Sequence, residues 1–509
     1  MDVKSQNRQD WAPLLQTLAG RREAARSMGG PEKLARHRAA GRVDARTRID
    51  ELLDPGSFIE IGTLAGDGST PADAFVAGSG LIDGRPLLVG SEDFSVSGGS
   101  IGTAAATKRA RIAMLAQQER LPLVMMLEGA GHRAVNGLFP HRPAPNDLQA
   151  MSELAGLVPT VAVVTGPSAG HGALTAPLSD FVVMVDADAA LFTAGPPLVQ
   201  ASTGEQVTKS ELGGPAVHAV ESGVVHNVVA DVEEALALVR RYLSYFPSSA
   251  WNRPPATTAV SGHDLDERDL DDLLDIIPPN PRKSYDMREV LERLVDAGSL
   301  LEIQPEHGGS IITALAHIGG QVVAIVANQP LVLAGAIDRA AAEKAARFIS
   351  MTSAFHLPLV QLADNPGVLA GSVSERAGIL RASARMFAAQ HRAQVPKLHV
   401  TVRKAFGFGS SVMGQNAFGG QTVSLAFPGA MLGGIPAVVG GHTAKDDEKT
   451  RAALIENENS GPWRLAGTVT YDEVIDPRQL RNALLGGLRM ARGRDDAPVE
   501  PIRHVGYLP

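Results

Sequence analysis

The stretch from Gly84 to Gly131 occurs again, without a gap, as Gly320 to Gly367 at a constant offset of 236 positions. Lys108 falls on Lys344, Arg111 on Arg347, Leu121-Pro122-Leu123-Val124 on Leu357-Pro358-Leu359-Val360, and Glu128 on Asp364. Further on, at an offset of 237, Val158-Pro159 meets Val395-Pro396 and Gly170-His171-Gly172 meets Gly407-Phe408-Gly409. Solenoid units repeat every ~20–50 residues, so a period this long requires two copies of a whole domain. Each copy presents an equivalent glycine-flanked loop, and two such loops suit two chemically similar ligands.

The copies also open alike. Leu52-Leu53-Asp54-Pro55-Gly56-Ser57-Phe58-Ile59-Glu60-Ile61 is echoed by Leu294-Val295-Asp296-Ala297-Gly298-Ser299-Leu300-Leu301-Glu302-Ile303, a helix end, a turn and a strand start. Leu87–Val89 and Val322–Val326 read as buried strands, Lys108–Gln118 and Ala340–Ala354 as helices, and Leu123–Leu127 and Leu359–Leu362 as strands again. Strand, helix, strand repeated in this way predicts an α/β layered fold made of two tandem domains. Pro247 to Pro281, rich in Pro, Ser and Asp, separates them, and the expected domains are residues 1–260 and 261–509. The acidic run Asp264-Leu265-Asp266-Glu267-Arg268-Asp269 lacks the spacing and distal Glu of a calcium loop and reads as solvated linker. Residues 10–50 read as polar, basic helix, solvated or at an interface.

Composition narrows the function. Of 509 residues 44% are hydrophobic and 20% charged, ordinary for a globular chain with large cores. A net charge of −8 without a long basic run points away from nucleic acid and from an anionic membrane surface. The start, Met1-Asp2-Val3-Lys4-Ser5, lacks the apolar core of a signal peptide, and no stretch reaches the ~18 apolar residues of a membrane helix. There is no cysteine, which excludes disulfides, thiolate zinc sites and a cysteine nucleophile. A cytoplasmic enzyme with no bound metal fits these facts.

The loops carry the chemistry. Gly170-His171-Gly172 follows the strand Val161-Ala162-Val163-Val164, and Gly407-Phe408-Gly409 follows Leu398-His399-Val400-Thr401-Val402. A glycine pair at a strand-to-helix turn aims backbone N–H groups at a ligand, and such a site stabilises an oxyanion without a catalytic side chain. Either loop alone reads equally well as close helix–sheet packing; their recurrence favours function. Gly166-Pro167-Ser168-Ala169-Gly170 also matches the G-x-S-x-G nucleophile elbow, but no acid and His follow in hydrolase order. His132 and His171 are tempting bases, yet the sequence offers neither an orienting carboxylate, and both read as positional. Asp364-Asn365-Pro366-Gly367 ends a strand where Glu128-Gly129-Ala130-Gly131 ends its counterpart. Lys108, Arg109, Arg111, Lys344 and Arg347 sit at helical spacing, either on solvated faces or near phosphates.

These residues resemble the carboxyltransferase (β) subunits of biotin-dependent acyl-CoA carboxylases. In the first half the resemblance rests on Asp83-Gly84-Arg85-Pro86, Gly98-Gly99-Ser100-Ile101-Gly102, Gly166-Pro167-Ser168-Ala169-Gly170, Thr203-Gly204-Glu205 with Glu211-Leu212-Gly213-Gly214, and Ser222-Gly223-Val224-Val225-His226. In the second it rests on Asp364-Asn365-Pro366-Gly367, Arg403-Lys404-Ala405-Phe406-Gly407, Val412-Met413-Gly414 and Asp472-Glu473-Val474-Ile475-Asp476-Pro477. It spans about Arg21 to Arg492, in family order.

The resemblance implies two crotonase-like domains, assembly as a hexamer, and active sites shared between copies. It implies that the first domain takes acyl-CoA on Gly129, Ala130, Gly131, Gly170 and His171. It implies that the second takes biotin on Asp364, Pro366, Gly367, Gly407, Phe408 and Gly409. Two backbone oxyanion holes, Gly170-His171-Gly172 and Phe408-Gly409, would stabilise the thioester enolate and the biotin ureido oxygen while CO2 passes between them. The family usually has Gly-Gly at Gly170-His171 and Gly-Gly-Ala at Gly407-Phe408-Gly409, and its position for acyl length falls at Ser411. The chain has no Met-Lys-Met biotin-attachment signature, so biotin would arrive on a biotin carboxylase or carrier subunit. The same features also suit a decarboxylase of a malonyl-type thioester, or a CoA-binding scaffold with altered chemistry.

Overall fold

The computed structural model describes residues 3–66, 69–138, 146–255, 266–434, 447–494 and 499–502. It divides between Leu243 and Ser244 into two compact units. The boundary expected at 260/261 lies outside the described residues.

In the first unit, the strands are β1 (Ile59–Glu60), β2 (Phe75–Ile82), β3 (Arg85–Glu92), β4 (Leu123–Gly129), β5 (Thr160–Ala169), β6 (Phe181–Val185), β7 (Ala190–Phe192) and β8 (Asn227–Val229). They form a sheet of order β1-β2-β3-β4-β5-β6-β8, with β7 also on β5. β1, β2 and β3 pair antiparallel, and every pairing from β3 to β8 is parallel. The parallel strands are continuous apolar runs because both sheet faces are covered; Leu123, Val124, Met126 and Leu127 are wholly buried.

The second unit repeats this with β9 (Leu301–Ile303), β10 (Ile311–Ile318), β11 (Gln321–Asn328), β12 (Leu359–Asn365), β13 (Lys397–Phe406), β14 (Val423–Ala426), β15 (Met431–Gly433) and β16 (Glu473–Val474). Its order is β16-β14-β13-β12-β11-β10-β9, with β15 also on β13.

The duplication holds down to register. Leu88 opposes Leu123 and Ala324 opposes Leu359; Leu123 opposes Thr160 and Leu359 opposes Lys397. Even the irregularity is copied: β4 slips against β5 between Leu127 and Gly129, and β12 slips against β13 between Ala363 and Asn365. A bulge bends the strand and re-aims the backbone beyond it, and in each unit that backbone leads to the candidate loop. The opening motif also has one task in both copies. Asp54 accepts from the N–H groups of Asp83 and Gly84 at 3.0 and 2.8 Å, and Asp296 from those of Gly319 and Gly320 at 3.0 and 2.8 Å. A carboxylate thus fastens each tight hairpin turn.

Two expectations need correction. Lys108, Arg109 and Lys344 do not lie on solvated faces, nor do they await phosphate; all three are buried. The helices that carry them, Thr103–Glu119 and Arg339–Ala354, turn those positions inward. Lys108 donates to the carbonyls of Ala72 and Phe75, and Lys344 to that of Gln304 at 3.2 Å. Arg111, by contrast, is exposed. The acidic run is not free linker where it is described: Arg268 N–H donates to Asn482 at 2.8 Å, and Glu267 pairs with Arg489, fixing the run to the helix Leu480–Ala491. The helix Val3–Arg26 matches its expectation, being exposed along nearly its whole length.

Burial lowers Lys344 to about 7 from 10.5 and Lys108 to about 8. A lysine whose folded value is depressed binds fewer protons folded than unfolded across the interval, so its contribution to stability rises with pH there. For Lys344 the interval runs from about 7 to 10.5. The stability of wild type relative to Lys344→Met is expected to increase with pH across it, at up to about 1.4 kcal/mol per pH unit. Paired urea titrations at pH 7 and 9.5 measure this; an unchanged difference would refute the assignment.

Candidate functional site

Each unit brings three backbone segments into unusually close approach. In the first, Ala130 N–H donates to Gly98 O at 3.0 Å and Ile101 N–H to Gly131 O at 2.7 Å. A Cβ on Gly129 would lie 2.5 Å from Gly99 O, and one on Gly131, at φ 77°, would lie 2.6 Å from Ala169 O. No larger residue allows that approach, which explains the run Gly129-Ala130-Gly131. β5 then passes into the helical turn Gly170–Ala173, with Gly170 at φ 56°. The expected residues Gly129, Ala130, Gly131, Gly170, His171 and Gly172 therefore do converge.

The second unit repeats the arrangement in part, with Pro366, which has no N–H to donate, at the place of Ala130. Ile337 N–H donates to Gly367 O at 3.1 Å, and a Cβ on Gly335 would lie 2.2 Å from Asp364 O. β13 passes into the turn Gly407–Val412, with Gly407 at φ 52°. A Cβ on Gly409 would lie 2.1 Å from Asn365 Oδ1 and 2.8 Å from Gly367 Cα. Gly367, Gly407, Phe408 and Gly409 are thus assembled, with the half-buried Pro366 beside them. Phe408 is 45% exposed and packs its ring on Phe387 at 5.5 Å. The opening amides of a helical turn have no carbonyl four residues back to bond, so both turns present N–H groups to whatever meets them.

Asp364 stands apart from the other expected site residues. Its carboxylate is wholly buried, accepting from Arg403 Nε at 2.7 Å and Tyr285 OH at 2.9 Å, with Lys404 Nζ at 3.7 Å. Its ion pairs fix the end of β12. Glu128 is equally enclosed, against Arg42 at 3.0 Å, Arg48 at 3.2 Å and His37 at 3.7 Å. Both strand-end acids are therefore paired internally, Asp364 with Arg403 and Lys404 of the neighbouring strand β13 and Glu128 with Arg42 and Arg48.

The elbow reading of Ser168 fails on geometry. Ser168 is fully buried within β5, opposite Gly129 and Leu191, and is not raised on a turn. The reading of His171 as unoriented also needs correction. Its Nε2 lies 2.5 Å from Asp147 Oδ1, and Asp147 Oδ2 accepts from Arg109 Nε at 2.7 Å. Arg109 continues to Glu92 Oε1 at 2.9 Å and Thr175 Oγ1 at 2.6 Å. Burial pushes the Asp147 carboxyl up, but the His171 hydrogen bond and the Arg109 charge outweigh it and bring it down to about 2. Burial pushes Glu92 up, against the pull of Arg109. His132 is exposed.

Sequence reasoning missed Asp147 and Glu92, and read Arg109 as a solvated or phosphate-facing residue instead of their buried partner. The only local signal was Asn146-Asp147 ahead of an apolar run, a helix N-cap pattern; Asn146 indeed caps the helix Asp147–Glu153. Among the described residues no group of three or more His, Cys, Asp or Glu could hold a metal ion, and no helix is long and apolar enough to cross a membrane.

Residues 36–503 match the profile of the carboxyl transferase domain family. The chain is 34% identical to the propionyl-CoA carboxylase carboxyltransferase subunit of Haloferax mediterranei, covering 97% of this chain and 98% of that protein. It is 34% identical to the methylmalonyl-CoA carboxyltransferase 12S subunit of Propionibacterium freudenreichii subsp. shermanii, over 94% of each. It is 35% identical to the biotin-dependent long chain acyl-coenzyme A carboxylase beta4 subunit of Mycobacterium tuberculosis, over 95% of each. Its fold superposes on the crystal structure of transcarboxylase 12S, a hexamer with methylmalonyl-coenzyme A and methylmalonic acid bound. That match has a TM-score of 0.88 and 32% identity, covering 97% of this chain and 99% of that one. The tandem crotonase-like α/β architecture expected from the sequence is thereby borne out.

Proposed function

Because the chain belongs to the carboxyl transferase family, we propose that it is the carboxyltransferase subunit of an acyl-CoA carboxylase. It moves a carboxyl group between biotin borne by a partner subunit and the α carbon of an acyl-CoA. The observation that carries this reading is the pair of strand-to-turn loops, Gly170-His171-Gly172 and Gly407-Phe408-Gly409, alike in register, bulge and left-handed first glycine. One reaction needs two carbonyl oxygens to hold negative charge, and the chain carries two turns of one design.

On the acyl side, loss of the α-proton places negative charge on the thioester oxygen. The amides of His171 and Gly172 receive it, with Gly129, Ala130 and Gly131 holding the neighbouring backbone in place. Removing one such donor typically costs about 10²–10³ in rate. On the other side, the backbone at Phe408 and Gly409 fits a small ring bearing one carbonyl oxygen. The aromatic pair Phe408–Phe387 offers an apolar wall there, and Gly367 and Pro366 shape the adjoining turn. Biotin, when bound, supplies the transferable carboxyl group on its ureido ring. Asp364 acts through Arg403 and the strand end and makes no ligand contact. The proposal extends to assembly: the chain forms a hexamer, as transcarboxylase 12S does, and meets a biotin carboxylase or carrier subunit in the cytoplasm.

The equal likeness to a methylmalonyl-CoA carboxyltransferase supports a second direction, in which a malonyl-type thioester gives up its carboxyl group. Both readings are tested by offering the purified chain a series of CoA thioesters with free biotin as the carboxyl carrier, then adding the biotin-bearing partner. Biotin-dependent carboxyl exchange on a CoA thioester supports the reading, and a need for ATP in the reconstituted complex assigns the carboxylase direction. A chain that binds no CoA thioester, and recovers no biotinylated polypeptide from its own cells, would overturn it.

A further inference from the structure

We propose that His171, held by Asp147 and Arg109, is a positioning residue that sets the aim of the acyl-side turn of this chain. The inference rests on the function proposed above and deepens it. Here the ring ties the turn Gly170–Ala173 to the helix Asp147–Glu153 through the 2.5 Å contact of Nε2 with Asp147 Oδ1. Arg109 braces the same arrangement from a third helix, Thr103–Glu119, reaching Asp147, Glu92 at the end of β3, and Thr175 just past the turn. A single buried guanidinium thus spans four segments around one backbone turn.

The geometry also divides the labour of the ring. Nε2 is taken up by Asp147, so only Nδ1 can meet a ligand. His171 is 31% exposed at its side chain, while Asp147 is 4% and Arg109 1%. The ring therefore lies at the edge of a closed ionic chain, His171–Asp147–Arg109–Glu92, with its free edge toward solvent. The groups facing it from the packed elements are Asp147, with Arg109 and Glu92 behind.

The test compares wild type with His171→Ala, His171→Gln and Asp147→Asn, following carboxyl transfer to free biotin and CoA-thioester binding by calorimetry. For His171→Ala, kcat is expected to fall about tenfold with KM within about twofold, because the donors are misaimed rather than lost. Glutamine can place an amide donor where Nε2 stood, so His171→Gln should recover most of kcat. Asp147→Asn should lower kcat with KM held, like His171→Ala. If His171→Ala does not fold, as read by its thermal melt, Asp147→Asn carries the test through the split between kcat and KM. Wild-type kcat in His171→Ala and in Asp147→Asn would overturn the inference and leave the proposed function intact. Failure of wild type itself to bind any CoA thioester would overturn the function, and the inference with it.

Discussion

Gly409→Ala is expected to reduce carboxyl transfer by about 10²–10³-fold, the loss typical of displacing an oxyanion donor. The methyl group would sit 2.1 Å from Asn365 Oδ1 and 2.8 Å from Gly367 Cα. Asn365 cannot easily give way. Its Oδ1 accepts from Gly367 N–H at 3.0 Å, and its Nδ2 donates to Asn328 Oδ1 at 3.0 Å. Asn328 Oδ1 also accepts from Asp364 N–H at 3.0 Å. The strain therefore passes into the turn Gly407–Val412 or into the end of β12, and either way the amides of Phe408 and Gly409 lose their aim. Overpacking of this kind costs about 1–3 kcal/mol, so the protein should still fold at moderate temperature while turnover collapses. Steady-state transfer to free biotin, with a thermal melt beside it, makes the measurement; wild-type turnover in a folded variant would remove the second turn from the mechanism.

Arg403→Met should produce the largest loss of stability, about 3–5 kcal/mol, because it strands a buried carboxylate. Arg403 holds Asp364 at 2.7 Å, lies over the ring of Tyr285 at 4.5 Å, and donates to the carbonyls of Pro278, Asn280 and Lys283 at 3.2, 3.2 and 2.7 Å. Lys404 Nζ, at 3.7 Å, is too distant to replace it. Adding Asp364→Asn should return part of the loss, since the uncompensated charge disappears while the carbonyl contacts stay unmade. Urea titrations of the single variants and the double variant give the coupling. Additive losses in that cycle would show that the ion pair carries no special energy.

The tandem α/β plan was legible because hydrophobic runs, Leu-Pro breaks and glycine pairs recur at one spacing, and a parallel sheet writes itself as such runs. The glycines of both turns were legible for a related reason: at Gly131, Gly170, Gly367 and Gly407 the backbone takes a left-handed conformation or touches a neighbouring strand. The hidden features depend on partners distant in sequence. Nothing near His171 announces Asp147, 24 residues earlier. Lys108 and Arg109 sit among alanines at helical spacing, a pattern shared by solvated helices, and only the packed structure shows that their partners are the carbonyls of Ala72 and Phe75 and the acids Glu92 and Asp147. Asp364 is a further case: its place at a strand end suggests contact with a ligand, and nothing beside it announces the ion pair with Arg403, 39 residues later.

The two strand-end acids differ in where their counter-charges originate, and that difference has a practical side. Asp364 draws on Arg403 and Lys404, inside its own sheet, whereas Glu128 relies on Arg42 and Arg48, contributed by the leading forty-odd residues. Those residues look dispensable beside a complete sheet, yet shortening the chain past Arg48 would leave a naked carboxylate at the end of β4. The front of the polypeptide is a structural keel for the first sheet, and any tagged, trimmed or fused version has to retain it.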